Sequence, residues 1–197
     1  MAPRRCVRYK EPIEALAKRS FASYLARLNA EKRLRKVGQW WNAAQFCLST
    51  ALVSVSIVFL AFPEKQAPVI AVLLVILAVL ALVVSLVVTF LDYSARAKAM
   101  FGNYRSLQTF SVKTETLVQS RARITGRQLR ALQTEYNSIM DTSENHSPMD
   151  HKVAQALRGV HPFPVNLVAA TAKPVLLPIL LIVVSLVTVA VSIWAIA

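Results

Sequence analysis

The stretch VIAVLLVILAVLALVVSLVVTFL, residues 69–91, decides the architecture: it runs for 23 residues without a formal charge. A bilayer core about 30 Å thick needs roughly 20 helical residues at about 1.5 Å each, so this run is long enough to cross one. Lipid satisfies no backbone amide, which leaves a helix or a closed barrel. Leu, Val, Ile and Ala follow one another here without the in-out alternation of a barrel strand. Two further charge-free runs, residues 43–62 and 175–197, meet the same test. The expected fold is all-α: an integral membrane protein with three transmembrane helices and a helical cytoplasmic domain, including a long helix that extends from the second span.

The whole-chain composition agrees with segregated apolar and charged blocks. Of 197 residues 55% are hydrophobic and only 17% charged, yet 23 Lys and Arg stand against 10 Asp and Glu, a net charge of +13. A soluble domain seldom combines these values, so an ordinary cytosolic enzyme is excluded. Four glycines leave no glycine-rich phosphate cradle. Cys6 and Cys47 form neither a disulfide framework nor a zinc site.

Charge also orients the spans. Residues 1–42 carry +8, the hairpin 63–68 carries zero, and residues 92–173 carry +5. Positive-inside bias places the N-terminus and residues 92–173 in the cytoplasm, the hairpin outside, and the C-terminus on the external side of an inner membrane. The expected organisation is a basic amphipathic cytoplasmic helix (1–42), span one (43–62), an external loop (63–68), span two (69–91), a cytoplasmic helical region and linker (92–173), and span three (175–197). Trp40 and Trp41 before the first span, Lys173 before the third and Trp194 near its outer end read as interfacial anchors. The 42 charged, amphipathic residues before the first apolar run make a poor signal peptide; a mitochondrial transit peptide, Arg-rich and acid-poor, fits them only in part.

Residues 12–37 read as a helix whose apolar stripe is Ile13, Ala17, Phe21, Tyr24 and Leu28, with Arg19, Arg27, Lys32, Arg33, Arg35 and Lys36 mostly elsewhere. Its charges suit water, lipid headgroups or nucleic acid; no interleaved base-stacking aromatics favour the last. Beyond the second span the stripe Tyr93, Ala97, Met100, Tyr104 and Leu107, then Phe110, Leu117 and Ile124, resembles a coiled-coil seam. Unbroken, residues 69–124 would make a helix of about 84 Å. Gly126 reads as a stop, and Leu129, Leu132, Tyr136 and Ile139 as an antiparallel return.

The segment Glu144-Asn145-His146-Ser147-Pro148-Met149-Asp150-His151 puts two histidines near two acids, which raises a metal or acid–base reading. The competing reading is a helix start: Ser147 as N-cap, Pro148 at N1, Asp150 at N3 and Gly159 closing the helix. No catalytic Ser/His/Asp order, zinc spacing or phosphate-binding loop occurs elsewhere. Neither catalysis nor a cofactor or metal is expected. His161-Pro162-Phe163-Pro164 reads as a stiff linker, and Pro174 and Pro178 as first-turn prolines of the third span.

These features resemble the SLATT domain family, the SMODS and SLOG-associating two-transmembrane effectors. The resemblance covers roughly residues 10–155. It is carried by the basic helix ending in Arg33-Leu34-Arg35-Lys36-Val37-Gly38-Gln39-Trp40-Trp41, the tight hairpin, the long helix after it, the stretch Leu132 to Met140, and the motif containing Asn145, His146, Ser147 and Asp150. The subgroup it looks like is encoded beside bacterial reverse transcriptases and nucleotide-signalling enzymes. The resemblance implies a membrane effector of an antiphage system that forms a homo-oligomer, permeabilises the inner membrane and arrests growth. It also implies a reverse transcriptase or nucleotide-signalling enzyme as partner.

Within the spans, small and hydroxyl-bearing residues recur on one side: Ser185, Thr188, Ser192 and Ala195 in the third; Ala71, Ala78 and Ser85 in the second; Cys47, Thr50 and Ser54 in the first. They are candidates for helix packing or for lining a pore. No charged residue lies inside a span, so no selectivity ring or proton relay is expected. The rival function is a non-conducting scaffold that anchors a partner enzyme or nucleic acid through its basic surface, with binding that weakens steeply in salt.

Overall fold

The computed structural model describes residues 10–62, 68–120, 124–142, 144, 147–157 and 166–194. Six α-helices account for them: α1 (Lys10–Ala61), α2 (Pro68–Leu91), α3 (Tyr93–Gln119), α4 (Gly126–Asp141), α5 (Pro148–Leu157) and α6 (Asn166–Trp194). Among the described residues there is no strand, and three helical stretches are long and apolar enough to cross a membrane. The linker 161–164 and Gly159 lie outside the described residues.

Several features differ from the sequence expectation. The amphipathic and membrane segments are one helix, α1, because no proline separates them and Gly38 is tolerated in helix. There the missing Cβ leaves room for Tyr93, whose Cβ would lie 2.9 Å from an alanine Cβ at position 38. The helix leaving the second span is interrupted at Asp92, with φ +32°, a backbone region that Asp enters more readily than most residues. It ends at Gln119 rather than 124. Gly126 opens α4 instead of stopping a helix. Thr125 is the N-cap, its hydroxyl accepting from Gln128 N–H at 3.3 Å while Gln128 Oε1 accepts from Thr125 N–H at 2.8 Å. That reciprocal pair is a capping box.

The chain divides into two units, Met1–Arg33 with Ala95–Leu167, and Leu34–Ser94 with Val168–Ala197. The second unit holds the C-terminal half of α1, α2 and α6. On α1, Val37, Trp41, Ala44, Leu48, Ala51 and Val55 are buried at three- and four-residue steps, the spacing of one helix face. Leu77 and Val84 of α2 and Val175 of α6 complete that core, with Leu181 and Val189 packed on it. α6 starts eight residues before Pro174, so Pro174 and Pro178 sit in its interior, not in a first turn. Each deletes one i to i−4 hydrogen bond, and Pro178 is fully buried.

The first unit packs the N-terminal half of α1 with α3, α4 and α5. Leu16, Leu107, Phe110, Leu132 and Tyr136 form its core, flanked by Tyr24, Leu117, Ile139 and Met140. Asn103 bonds to residues 139 and 142 while Lys113 pairs with Glu135 at 2.7 Å, so α4 returns antiparallel to α3. The buried face of α1 is offset from the expected stripe. It runs through Ile13, Leu16, Ser20, Ser23, Arg27 and Ala30, while Phe21 lies at an exposed rim.

Candidate functional site

Two groups of side chains stand out, one in each unit. In the span bundle, Ser185 and Ser192 are 1% and 3% exposed, and so face inward among the helices. Their hydroxyls donate to Leu181 O and Thr188 O at 2.7 and 2.8 Å; half-buried Thr188 donates to Val184 O at 2.8 Å. Half-buried Ser85 accepts from Gln45 Nε2 at 3.4 Å, a polar tie between α1 and α2. Cys47 and Ser54 are half-buried, whereas Thr50, Ala71 and Ala78 are exposed. The small residues therefore do not converge on one surface. Ser185 and Ser192 of α6 pack within the protomer and Ser85 of α2 is tied to α1, whereas Ala71 and Ala78 of α2 and Thr50 of α1 look outward. Ala195 lies outside the described residues. Trp41 is buried in the bundle, Trp40 packs at its margin, and Lys173 and Trp194 are exposed.

In the first unit a polar clasp holds the two ends of the α4–α5 connection. Asp150, 3% exposed, receives four hydrogen bonds. Oδ2 accepts from Ser147 N–H at 3.0 Å, Ser147 Oγ at 2.8 Å and Arg33 Nη2 at 3.0 Å; Oδ1 accepts from Arg33 Nε at 3.0 Å. Ser147 Oγ in turn accepts from Asp150 N–H at 3.2 Å. One carboxylate thus closes a capping box at the start of α5 and takes a bidentate guanidinium from α1. At the other end, Arg27 Nη2 donates to Met140 O at 3.0 Å, and Asn103 Nδ2 donates to Ile139 O and, at 2.7 Å, to Thr142 Oγ1. These carbonyls belong to the last turn of α4, where no further helical turn supplies amides to them; Ile139 O also accepts from Thr142 N–H at 3.4 Å and Thr142 Oγ1 at 2.8 Å. Glu144 pairs with Arg96 at 3.0 Å on the surface.

Arg27 is a correction to the sequence reading, which set its charge away from the packed face. It is 0% exposed, and burial pushes its pKa below the ordinary value against an opposing contribution from Tyr136. It remains charged at neutral pH. Tyr136 itself bonds Ser23 Oγ at 2.9 Å, stacks near Phe110 and lies under the Arg19 guanidinium at 5.3 Å. The hydroxyls of Ser20 and Ser23 on the same face were the available signal: a helix face carrying serines at this spacing tolerates a polar interior. The link from Arg33 to Asp150 had none, since 117 residues separate them.

Of the motif residues, Asn145 and His146 lie outside the described residues, as does the side chain of His151. Among the described residues no three His, Cys, Asp or Glu side chains group to hold a metal. The clasp is built to hold helices, its carboxylate engaged by a cap and a guanidinium.

Compared with known proteins, the chain matches the family model described as SMODS and SLOG-associating 2TM effector domain family 5 over residues 9–197. No curated protein and no solved structure matches it. The matched region takes in all six helices, so the third apolar helix is part of it although the family name counts two. By a match that covers nearly its whole length, the chain belongs to SMODS and SLOG-associating 2TM effector domain family 5.

Proposed function

We propose that this membrane effector acts by assembling into a homo-oligomer in the bacterial inner membrane and permeabilising it, which arrests growth of a phage-infected cell. Family membership carries the reading, since the family is one of effector domains in conflict systems and not of known enzymes. Three apolar helices give it the material to act on a bilayer. The charge asymmetry of the sequence supports an N-terminus and a 92–173 segment in the cytoplasm, with the C-terminus outside. The signal then arrives at the helical unit, from a reverse transcriptase or nucleotide-signalling enzyme encoded beside it. A path through spans without charged residues is weakly selective, lined by hydroxyls or gated by dewetting of apolar walls.

The test is release of a small trapped dye from liposomes holding the full chain, against an inert membrane protein at equal density. Release that rises steeply with protein density supports an assembling pore. Absence of release, with salt-sensitive recruitment of an enzyme or nucleic acid to the same liposomes, supports the scaffold instead.

A further inference from the structure

The span bundle satisfies most of its own hydroxyls. Ser56, Thr89, Ser185, Thr188 and Ser192 each donate to a carbonyl one turn back in their own helix, and Ser85 accepts from Gln45. α1 is different near the start of its apolar run. Asn42, Ser49 and Thr50 are exposed, and none of them has a hydrogen-bond partner among the described residues. They share one side of the helix with Phe46 and Val53, at steps of three and four. The outward faces of α2 and α6 are aliphatic by contrast, with Val75, Val79 and Leu82 on one and Leu180, Val183 and Leu186 on the other.

Lipid tails offer no hydrogen bond, so exposed hydroxyls and a carboxamide in or beside hydrocarbon gain by meeting a polar surface. This face is self-complementary: hydroxyl and amide each donate and accept, and no charge within it repels a copy of itself. We propose that the Asn42–Ser49–Thr50 face of α1 docks against the same face of a second copy of this chain, closing hydrogen bonds between the two helices. The proposal rests on the assembly reading above and names its contact surface. It sets the inward Ser185 and Ser192 aside as contacts within one protomer.

Single-cysteine crosslinking of the full chain in liposomes tests it, on a background with Cys6→Ser and Cys47→Ala. Thr50→Cys probes the face; Val79→Cys and Leu186→Cys probe the outward sides of α2 and α6. Under mild oxidation Thr50→Cys is expected to give most of the protein as disulfide dimer and the other two little. Crosslinking at position 50 no greater than at 79 or 186 overturns the proposal. The particle size of the cysteine-free chain in nanodiscs decides the assembly reading separately: oligomers there with no excess at position 50 sink only this face, while single copies sink both. Combining Asn42→Leu with Thr50→Val is expected to weaken self-association about tenfold, which is about 1.4 kcal/mol. Unchanged association in that variant also overturns the proposal.

Discussion

Replacing Asp150 by Ala removes the centre of the polar clasp without touching the spans. α5 has ten residues, too few for a helix to hold itself in water, so its persistence depends on what fixes its N-terminus. The substitution deletes four hydrogen bonds to one carboxylate. Loss of the capping interaction costs about 1 kcal/mol. Breaking a buried ion pair costs about 3–5 kcal/mol when the surviving charge stays dry. The Arg33 side chain is 31% exposed and rehydrates, so about 1–3 kcal/mol is the better figure for that part. Together these give about 2–4 kcal/mol of lost protection, or roughly 30- to 700-fold faster amide exchange in α5 at tenfold per 1.4 kcal/mol. Hydrogen–deuterium exchange by mass spectrometry on the full chain in detergent reads this peptide by peptide. Asp150→Asn retains an acceptor for Ser147 but loses the charge, and should fall between the two proteins. Exchange in α5 within threefold of the parent for Asp150→Ala would refute the reasoning, because the carboxylate would then fix nothing.

The two glycines of the long helices should respond with opposite signs. Gly38→Ala places a Cβ 2.9 Å from Tyr93 Cβ, where neither atom can swing away, and is expected to lower stability to SDS by about 1–2 kcal/mol. Gly102→Ala meets nothing within 4 Å and should raise it by up to about 1 kcal/mol, the helix propensity gain. Phe110→Ala empties a site 1% exposed beside Tyr136 and should cost about 3–5 kcal/mol in the same titration. Ser185→Leu overfills the bundle and should cost about 1–3 kcal/mol, while Val183→Leu on the exposed side should change little; equal responses would mean that Ser185 does not face inward.

The three spans and the charge asymmetry were legible because apolar length and charge are properties of contiguous residues. A run of 23 uncharged residues needs no partner to be recognised, and neither does a Ser-Pro-Met-Asp helix start, where the cap and the capped amide lie three residues apart. Tertiary packing decided the rest. Helical periodicity says which residues share a side, and a helix with serines, aromatics and arginines around it has more than one plausible side to bury. Packing against Tyr136 and Met140 chose the one with Ser23 and Arg27, and left Phe21 at the rim. Likewise the hydroxyls of the spans look alike in sequence. Only the arrangement of α1, α2 and α6 turns Ser185 and Ser192 inward and Thr50 outward, because a side chain's facing depends on where the neighbouring helices lie and not on its own chemistry.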